Sequence, residues 1–304
     1  MAVTASQVKE LRERTGAGML DCKNVLVEVD GDIDKAIEIL REKGLAKAAK
    51  KSGRVASEGL VRVKFSPDST KAGMVEVNSE TDFVAKNEDF INFVDAVSCM
   101  AVDTDTTAMD DFMNKKYDDQ KTIQQQITDM IATIGENMAV RRFISFNTPG
   151  VKYVGYLHGE GKIGVIVGIK TEASVDEITA VGKDVAMQIA SMNPLFIDES
   201  QVDPQYIENE RNILVRQAMN EGKPQEIVEK MVNGRLKKEL KETCLMEQKF
   251  VKNGEISVAN HLKDAEKEIG KSIEVVEMAR FEVGEGIEKK EENFAEEVAK
   301  QMGN

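Results

Sequence analysis

The chain has 304 residues, with 41 Lys and Arg against 54 Asp and Glu, a net charge of −13 and a pI near 4.9. That length can bury a sizeable core and points to more than one domain, while the acidic balance repels the phosphates of nucleic acid and of anionic membranes. Cys22, Cys99 and Cys244 are far apart and odd in number, no apolar run reaches membrane-spanning length, and the N-terminus lacks a signal-peptide pattern; a cytoplasmic protein without a disulfide framework is expected.

Residues 1–44 predict three short helices. Thr4 or Ser6 caps the first, whose apolar contacts are Val8 and Leu11, and Gly16-Ala17-Gly18 stops it. The second carries Met19, Cys22, Leu26 and Val29 on one face and ends at Asp30-Gly31-Asp32. Ile33, Ala36, Ile37 and Leu40 form the stripe of the third, with Gly44 just past its end. Three helices in so short a unit resemble a ubiquitin-associated module, a fold used to grip another protein, and so small a unit gains from packing on a partner. Residues 45–56 include Lys47, Lys50, Lys51 and Arg54 and no acid; a solvated basic linker is favoured over a nucleic-acid arm, because the stretch is short and the protein acidic.

Beyond it the pattern predicts a duplicated α+β core. The first copy, within 57–147, has strands near 59–65 and 72–77 joined by Ser66-Pro67-Asp68-Ser69, then a helix with Phe90, Phe93, Val94, Val97 and Ala101 on one face. Asn87 is its N-cap. Polar residues 103–121, a helix through Ile127, Ile131 and Ile134, and a strand at 140–146 follow. The second copy, within 148–283, has strands near 152–157 and 163–169 and a helix with Ile178, Val181, Val185, Ile189 and Met192 on one face. Gly73 corresponds to Gly164 across the copies.

Inserted at 203–250 is a helical hairpin that Asp203 caps, with Pro204 at its first helical position and Gly222-Lys223-Pro224 at its turn. Its thin stripe of Ile207, Leu214, Ala218, Ile227, Met231, Leu236 and Leu240 suits a protruding pair. Ser257 caps a further helix that Gly270 stops, a strand follows at 274–283, and residues 284–304 predict an amphipathic helix with Ile287, Phe294, Val298 and Met302. Cys22 and Cys99 both fall on apolar stripes and are expected to be buried free thiols.

Little of this points to bond-making chemistry. Gly159, Gly161 and Gly164 match a dinucleotide-binding spacing, but they lie between two strands and read as a hairpin turn. No phosphate loop ending in Gly-Lys-Ser/Thr occurs, so the chain is not expected to bind nucleotide directly. His158 and His261 have no zinc-finger partners, and nothing resembles an activated nucleophile. No cofactor, metal or catalytic residue is expected.

The turn Thr81-Asp82-Phe83, between the second strand and the Asn87-capped helix, leaves two readings open on residue chemistry alone. Asp82 caps a turn and Phe83 folds back onto its own core, or the ring projects as an apolar probe beside an acid. Asn78 to Val84 with Lys86 strongly resembles the signature loop of the elongation factor Ts family, and this favours the probe. The likeness extends along the chain: Val8 to Met19 with Asp21-Cys22-Lys23, Ile134-Gly135-Glu136-Asn137 with Arg141-Arg142, His158-Gly159 with Ile163-Gly164-Val165, Gly222-Lys223-Pro224 with Gly234-Arg235, and Arg280 to Lys289. Leu20 stands where some members carry methionine.

The resemblance implies a guanine-nucleotide exchange factor that binds elongation factor Tu·GDP, displaces elements around its Mg²⁺ site and promotes GDP release. It implies contacts from Thr81, Asp82, Phe83 and Val84, from Lys9, Arg12, Met19 and Leu20 in the N-terminal module, and from His158 in the second core copy. It makes the last helix a further arm onto the partner and leaves open a homodimer formed through the hairpin. An adaptor of the ubiquitin-associated kind, without exchange activity, is the alternative, and it leaves the duplicated core unexplained.

Overall fold

The computed structural model describes residues 3–221 and 225–288. It is an α+β protein of two compact units, the first within 3–62, 75–144 and 282–288, the second within 63–74, 145–221 and 225–281.

The first unit opens with α1 (Ala5–Thr15), α2 (Met19–Glu28) and α3 (Ile33–Lys51). Thr4 caps α1 in a reciprocal box: the Gln7 N–H donates to the Thr4 hydroxyl at 3.3 Å, and the Thr4 N–H donates to Gln7 Oε1 at 3.0 Å. Gly16 closes α1 at φ +69°, and Asp32 caps α3 by accepting from the Lys35 N–H at 3.1 Å. Val8, Leu11, Cys22, Val25, Leu26 and Ala36 make a small closed core, and burial pushes the Cys22 thiol pKa up.

Two expectations fail here. Met19 is not on the core face: it is the first residue of α2 and is exposed. Gly44 does not end the third helix, which runs on to Lys51 through the expected linker. Gly44 is buried where α3 meets α7, and a Cβ there would lie 3.4 Å from the Cβ of Ala132, so the glycine serves close approach of two helices.

The sheet of this half is built from β1 (Glu58–Phe65), β2 (Ala72–Ser79) and, later, β3 (Met138–Phe146), in the order β1-β2-β3. Between β2 and β3 come α4 (Asp82–Ala85), α5 (Glu88–Val102), α6 (Met109–Met113) and α7 (Ile123–Ile134). β2 is central and buried along its length, so it shows no in–out alternation. Phe90, Phe93, Val94, Val97 and Ala101 of α5 join Val75, Val77, Ile127 and Ile131 in one core. Cys99, expected on that stripe, is exposed. It follows Val97 by two residues, about 200° around the helix, and so faces away. The polar stretch 103–121 contains α6, whose buried Phe112 stacks on Phe143 with ring centroids 4.0 Å apart.

The second unit carries β4 (Val151–His158), β5 (Ile163–Lys170), α8 (Val175–Met192), α9 (Pro204–Asn220), α10 (Gln225–Thr243), β6 (Lys249–Phe250), β7 (Asn253–Ser257), α11 (Val258–Ile269) and β8 (Glu274–Glu282). β4 and β5 pair antiparallel from Val151 opposite Lys170 to His158 opposite Ile163, so the glycine-rich residues 159–162 are a hairpin turn. Gly159, Glu160 and Gly161 all take positive φ there. β8 adds beside β5, giving the order β4-β5-β8, the same plan as β1-β2-β3. Gly73 and Gly164 are each the second residue of the middle strand.

Asp203 caps α9, accepting from the Gln205 N–H at 2.8 Å, with Pro204 at the first position. The seam between α9 and α10 is thin: Ala218, Val228 and Val232 are its buried core, flanked by Leu214 and Val215. The short pair β6–β7 was not expected. The amphipathic helix expected to end the chain, with Phe294, Val298 and Met302, lies outside the described residues, as does the turn Gly222-Lys223-Pro224.

Candidate partner-binding loop

Residues 80–87 join β2 to α5, and most of their polar groups are engaged within the first unit. Thr81 is the cap of α4, its hydroxyl accepting from the Val84 N–H at 3.5 Å. Both donors of Thr81 go to one carboxylate: its N–H to Glu136 Oε2 at 3.0 Å and its hydroxyl to Glu136 Oε1 at 2.7 Å. Ser79 Oγ donates to the Thr81 carbonyl at 2.9 Å. Glu80 Oε1 accepts from the Asn137 N–H at 2.5 Å. Val84 and Ala85 enter the core, and Asn87 caps α5 by accepting from the N–H groups of Asp89 at 2.9 Å and Phe90 at 3.3 Å.

What stays outside is a short apolar and charged display. Lys86 Nζ donates to Asp82 Oδ2 at 2.7 Å across one helical turn. Phe83 is 80% exposed. The reading in which Phe83 packs on its own core is therefore excluded, and the cap of the turn is Thr81 rather than Asp82. Of the four loop residues singled out by resemblance, Asp82 and Phe83 are displayed, whereas Thr81 and Val84 hold them in place.

In β2, the strand that leads into the loop, Glu76 has a wholly buried side chain. It accepts from Arg142 Nε at 2.6 Å, Arg141 Nη1 at 3.1 Å, Asn78 Nδ2 at 3.1 Å and the Gly284 N–H at 2.8 Å. Burial pushes this carboxyl pKa up, but the Gly284 N–H, the Arg142 charge and the Asn78 amide together hold it below the ordinary carboxylate value. Arg142 also reaches Glu285 Oε2 at 3.0 Å, so the Gly284–Gly286 turn is tied to β2 and β3.

In the N-terminal module Lys9, Arg12, Met19 and Leu20 are all exposed, Met19 at 58% and Leu20 at 70%. Two lysines of the basic segment after Gly44 are spent on structure: Lys47 pairs with Asp21 at 2.9 Å, and Lys51 Nζ donates to the Gly135 carbonyl at 2.5 Å. His158 belongs to the second unit, exposed at the end of β4 with Nδ1 3.0 Å from the Tyr156 hydroxyl. Among the described residues no group of three or more His, Cys, Asp or Glu is placed to hold a metal ion, and no helix is long and apolar enough to cross a membrane.

A sequence model of the family described as elongation factor TS matches residues 80–285, a span that begins at this loop and ends at the turn bound to Glu76. The chain is 55% identical over 300 residues to elongation factor Ts of Clostridioides difficile (strain 630), with 99% of each chain covered. It is 53% identical to elongation factor Ts of Clostridium botulinum (strain Eklund 17B / Type B) and 52% to that of Clostridium perfringens (strain ATCC 13124), again over 99% of each chain. The chain belongs to the elongation factor Ts family.

Within this elongation factor Ts fold, sequence reasoning found the displayed residues and missed their supports. Glu76, Glu80, Glu136 and Asn137 were given no role. One signal was legible: a glutamate between Val75 and Val77 in an otherwise apolar strand demands a buried cation, and Arg141-Arg142 in another strand supplies it. As a member of the elongation factor Ts family, the protein acts in translation elongation.

Proposed function

We propose that this chain is the guanine-nucleotide exchange factor of elongation factor Tu: it binds the GDP-loaded GTPase and speeds GDP release without making or breaking a covalent bond. The observation that carries this reading is Phe83, a ring 80% exposed on a segment whose neighbours are pinned. An aromatic residue displayed at that exposure, on an ordered backbone, is suited to enter a partner's pocket.

GDP in such a GTPase is held by backbone amides around its phosphates and by Mg²⁺ bridging to phosphate oxygen. A wedge that moves elements beside this site disturbs the Mg²⁺ ligands without touching the nucleotide, and loss of a divalent cation removes a large electrostatic attraction. Asp82, beside the ring, brings a carboxylate held by Lys86 to the advancing surface. Lys9, Arg12, Met19 and Leu20 offer a mixed basic and apolar face for docking, and His158 offers a separate contact from the second unit. Linkage requires that GDP weaken binding of the factor by the same ratio that the factor weakens GDP, so the next nucleotide displaces it.

The test is to mix elongation factor Tu loaded with fluorescent GDP with increasing amounts of this chain and an excess of unlabelled nucleotide. Release that accelerates and saturates is expected; release at the intrinsic rate at every concentration contradicts the proposal.

A further inference from the structure

We infer that Glu136 is a positioning residue for exchange, acting through the displayed turn that carries Phe83, and that its turn holds the probe loop and the end of α3 together. The inference rests on the exchange reading above. α4 has four residues, too few to be stable as an isolated helix, so its orientation must come from its neighbours. An 80% exposed ring gains almost nothing from the protein's own interior. The anchors on either side of it are Val84 with Ala85, buried in the core, and Thr81, which gives both of its donors to Glu136.

Glu136 is itself fixed. It follows Gly135, which ends α7 in the left-handed conformation at φ +92°, and it precedes Asn137 at the entry to β3. The Asn137 N–H donates to Glu80, so the loop is held on both sides of the Glu80–Thr81 peptide. On its other side the same turn grips the chain that leaves the N-terminal module. Lys51 donates to the Gly135 carbonyl at 2.5 Å, and Asn137 Nδ2 donates to the Arg54 carbonyl at 2.7 Å and the Ser52 carbonyl at 3.5 Å. Three consecutive residues thus bind the end of α3 and the start of α4. Without Glu136 the loop would have to be ordered as it meets the partner, and that ordering would be subtracted from the step in which the ring enters.

The experiment compares intact wild type, Glu136→Ala, Phe83→Ala and the double variant in GDP release from elongation factor Tu over a range of factor concentrations. Glu136→Ala is expected to lower the saturating rate roughly tenfold, the scale of a lost charged hydrogen bond, with little change in the half-saturating concentration. In the Phe83→Ala background it should slow release much less, and Glu136→Gln, which keeps an acceptor oxygen, should recover part of the loss. Full multiplicative slowing in the double variant, or slowing that tracks lost folded protein, would overturn the inference. Glu136→Gln carries the test if Glu136→Ala does not fold. Amide hydrogen exchange of the free chain separates this idea from the exchange reading: Thr81 should lose protection in Glu136→Ala while Phe90 keeps it. If the wild type does not accelerate GDP release, the function proposal fails, and if Phe83→Ala releases GDP as the wild type does, Phe83 is not the probe. If Thr81 stays protected, the clamp fails.

Discussion

Two strand-to-helix junctions occupy the same place in the two halves of the core. Residues 80–87 join β2 to α5, and residues 171–174 join β5 to α8. The shorter junction turns inward. Thr171 Oγ donates to the Ser272 carbonyl at 2.6 Å and accepts from the Ala173 N–H at 3.0 Å, Ala173 is fully buried, and Ser174 caps α8 in a box with Glu177. The longer junction has room for one helical turn, which buries Val84 and lifts Phe83 outward. One scaffold therefore yields a closed corner and a displayed ring, and the difference lies in four added residues and in where the anchors come from. Ser272 secures the corner, while the α7–β3 turn secures the display.

The largest effect should come from the buried carboxylate in the strand that leads into the displaying junction. Glu76→Ala leaves Arg141 and Arg142 without their shared carboxylate, and removing one partner of such a buried pair should cost about 3 kcal/mol, read as a lower denaturant midpoint. The pH dependence has a definite sign. Because the folded-state pKa of Glu76 is lowered, its stabilisation is complete above the ordinary value of 4.5 and is lost as the pH falls through the lower folded value. The wild type should therefore lose more stability in that acid range than Glu76→Ala does.

A smaller effect is expected when an aromatic is placed at the closed corner. Ala173→Phe has no outward turn to occupy and must overpack the second core, at about 2 kcal/mol. Denaturant unfolding of Ala173→Phe with no loss of stability would mean that the corner can open, and the contrast between the junctions would dissolve.

How much of this was legible follows the distance over which each feature is decided. The α5 stripe from Phe90 to Ala101, the caps Thr4, Asn87, Asp203 and Ser257, and the stop at Gly270 are written within one or two helical turns, and the structure has them as read. Gly44 deceived because its role depends on Ala132, far along the chain. Cys99 deceived because it lies within a largely apolar helix yet about 200° around from Val97, on the face turned away from the core. The clamp on Thr81 was invisible for the same reason as Gly44: Glu136 is 55 residues away, and no local pattern links the two. Phe83 was ambiguous on its chemistry, and resemblance rather than periodicity pointed outward.

The most direct test of the central claim is Phe83→Ala measured twice on one sample, by denaturant unfolding and by GDP release from elongation factor Tu. An exposed side chain leaves no cavity, so stability should change by no more than about 0.5 kcal/mol. Truncating an interface anchor costs on the order of 2 kcal/mol, so release should slow about 30-fold. A variant that loses about 3 kcal/mol or more of stability, yet releases GDP at the wild-type rate per folded molecule, would contradict the account.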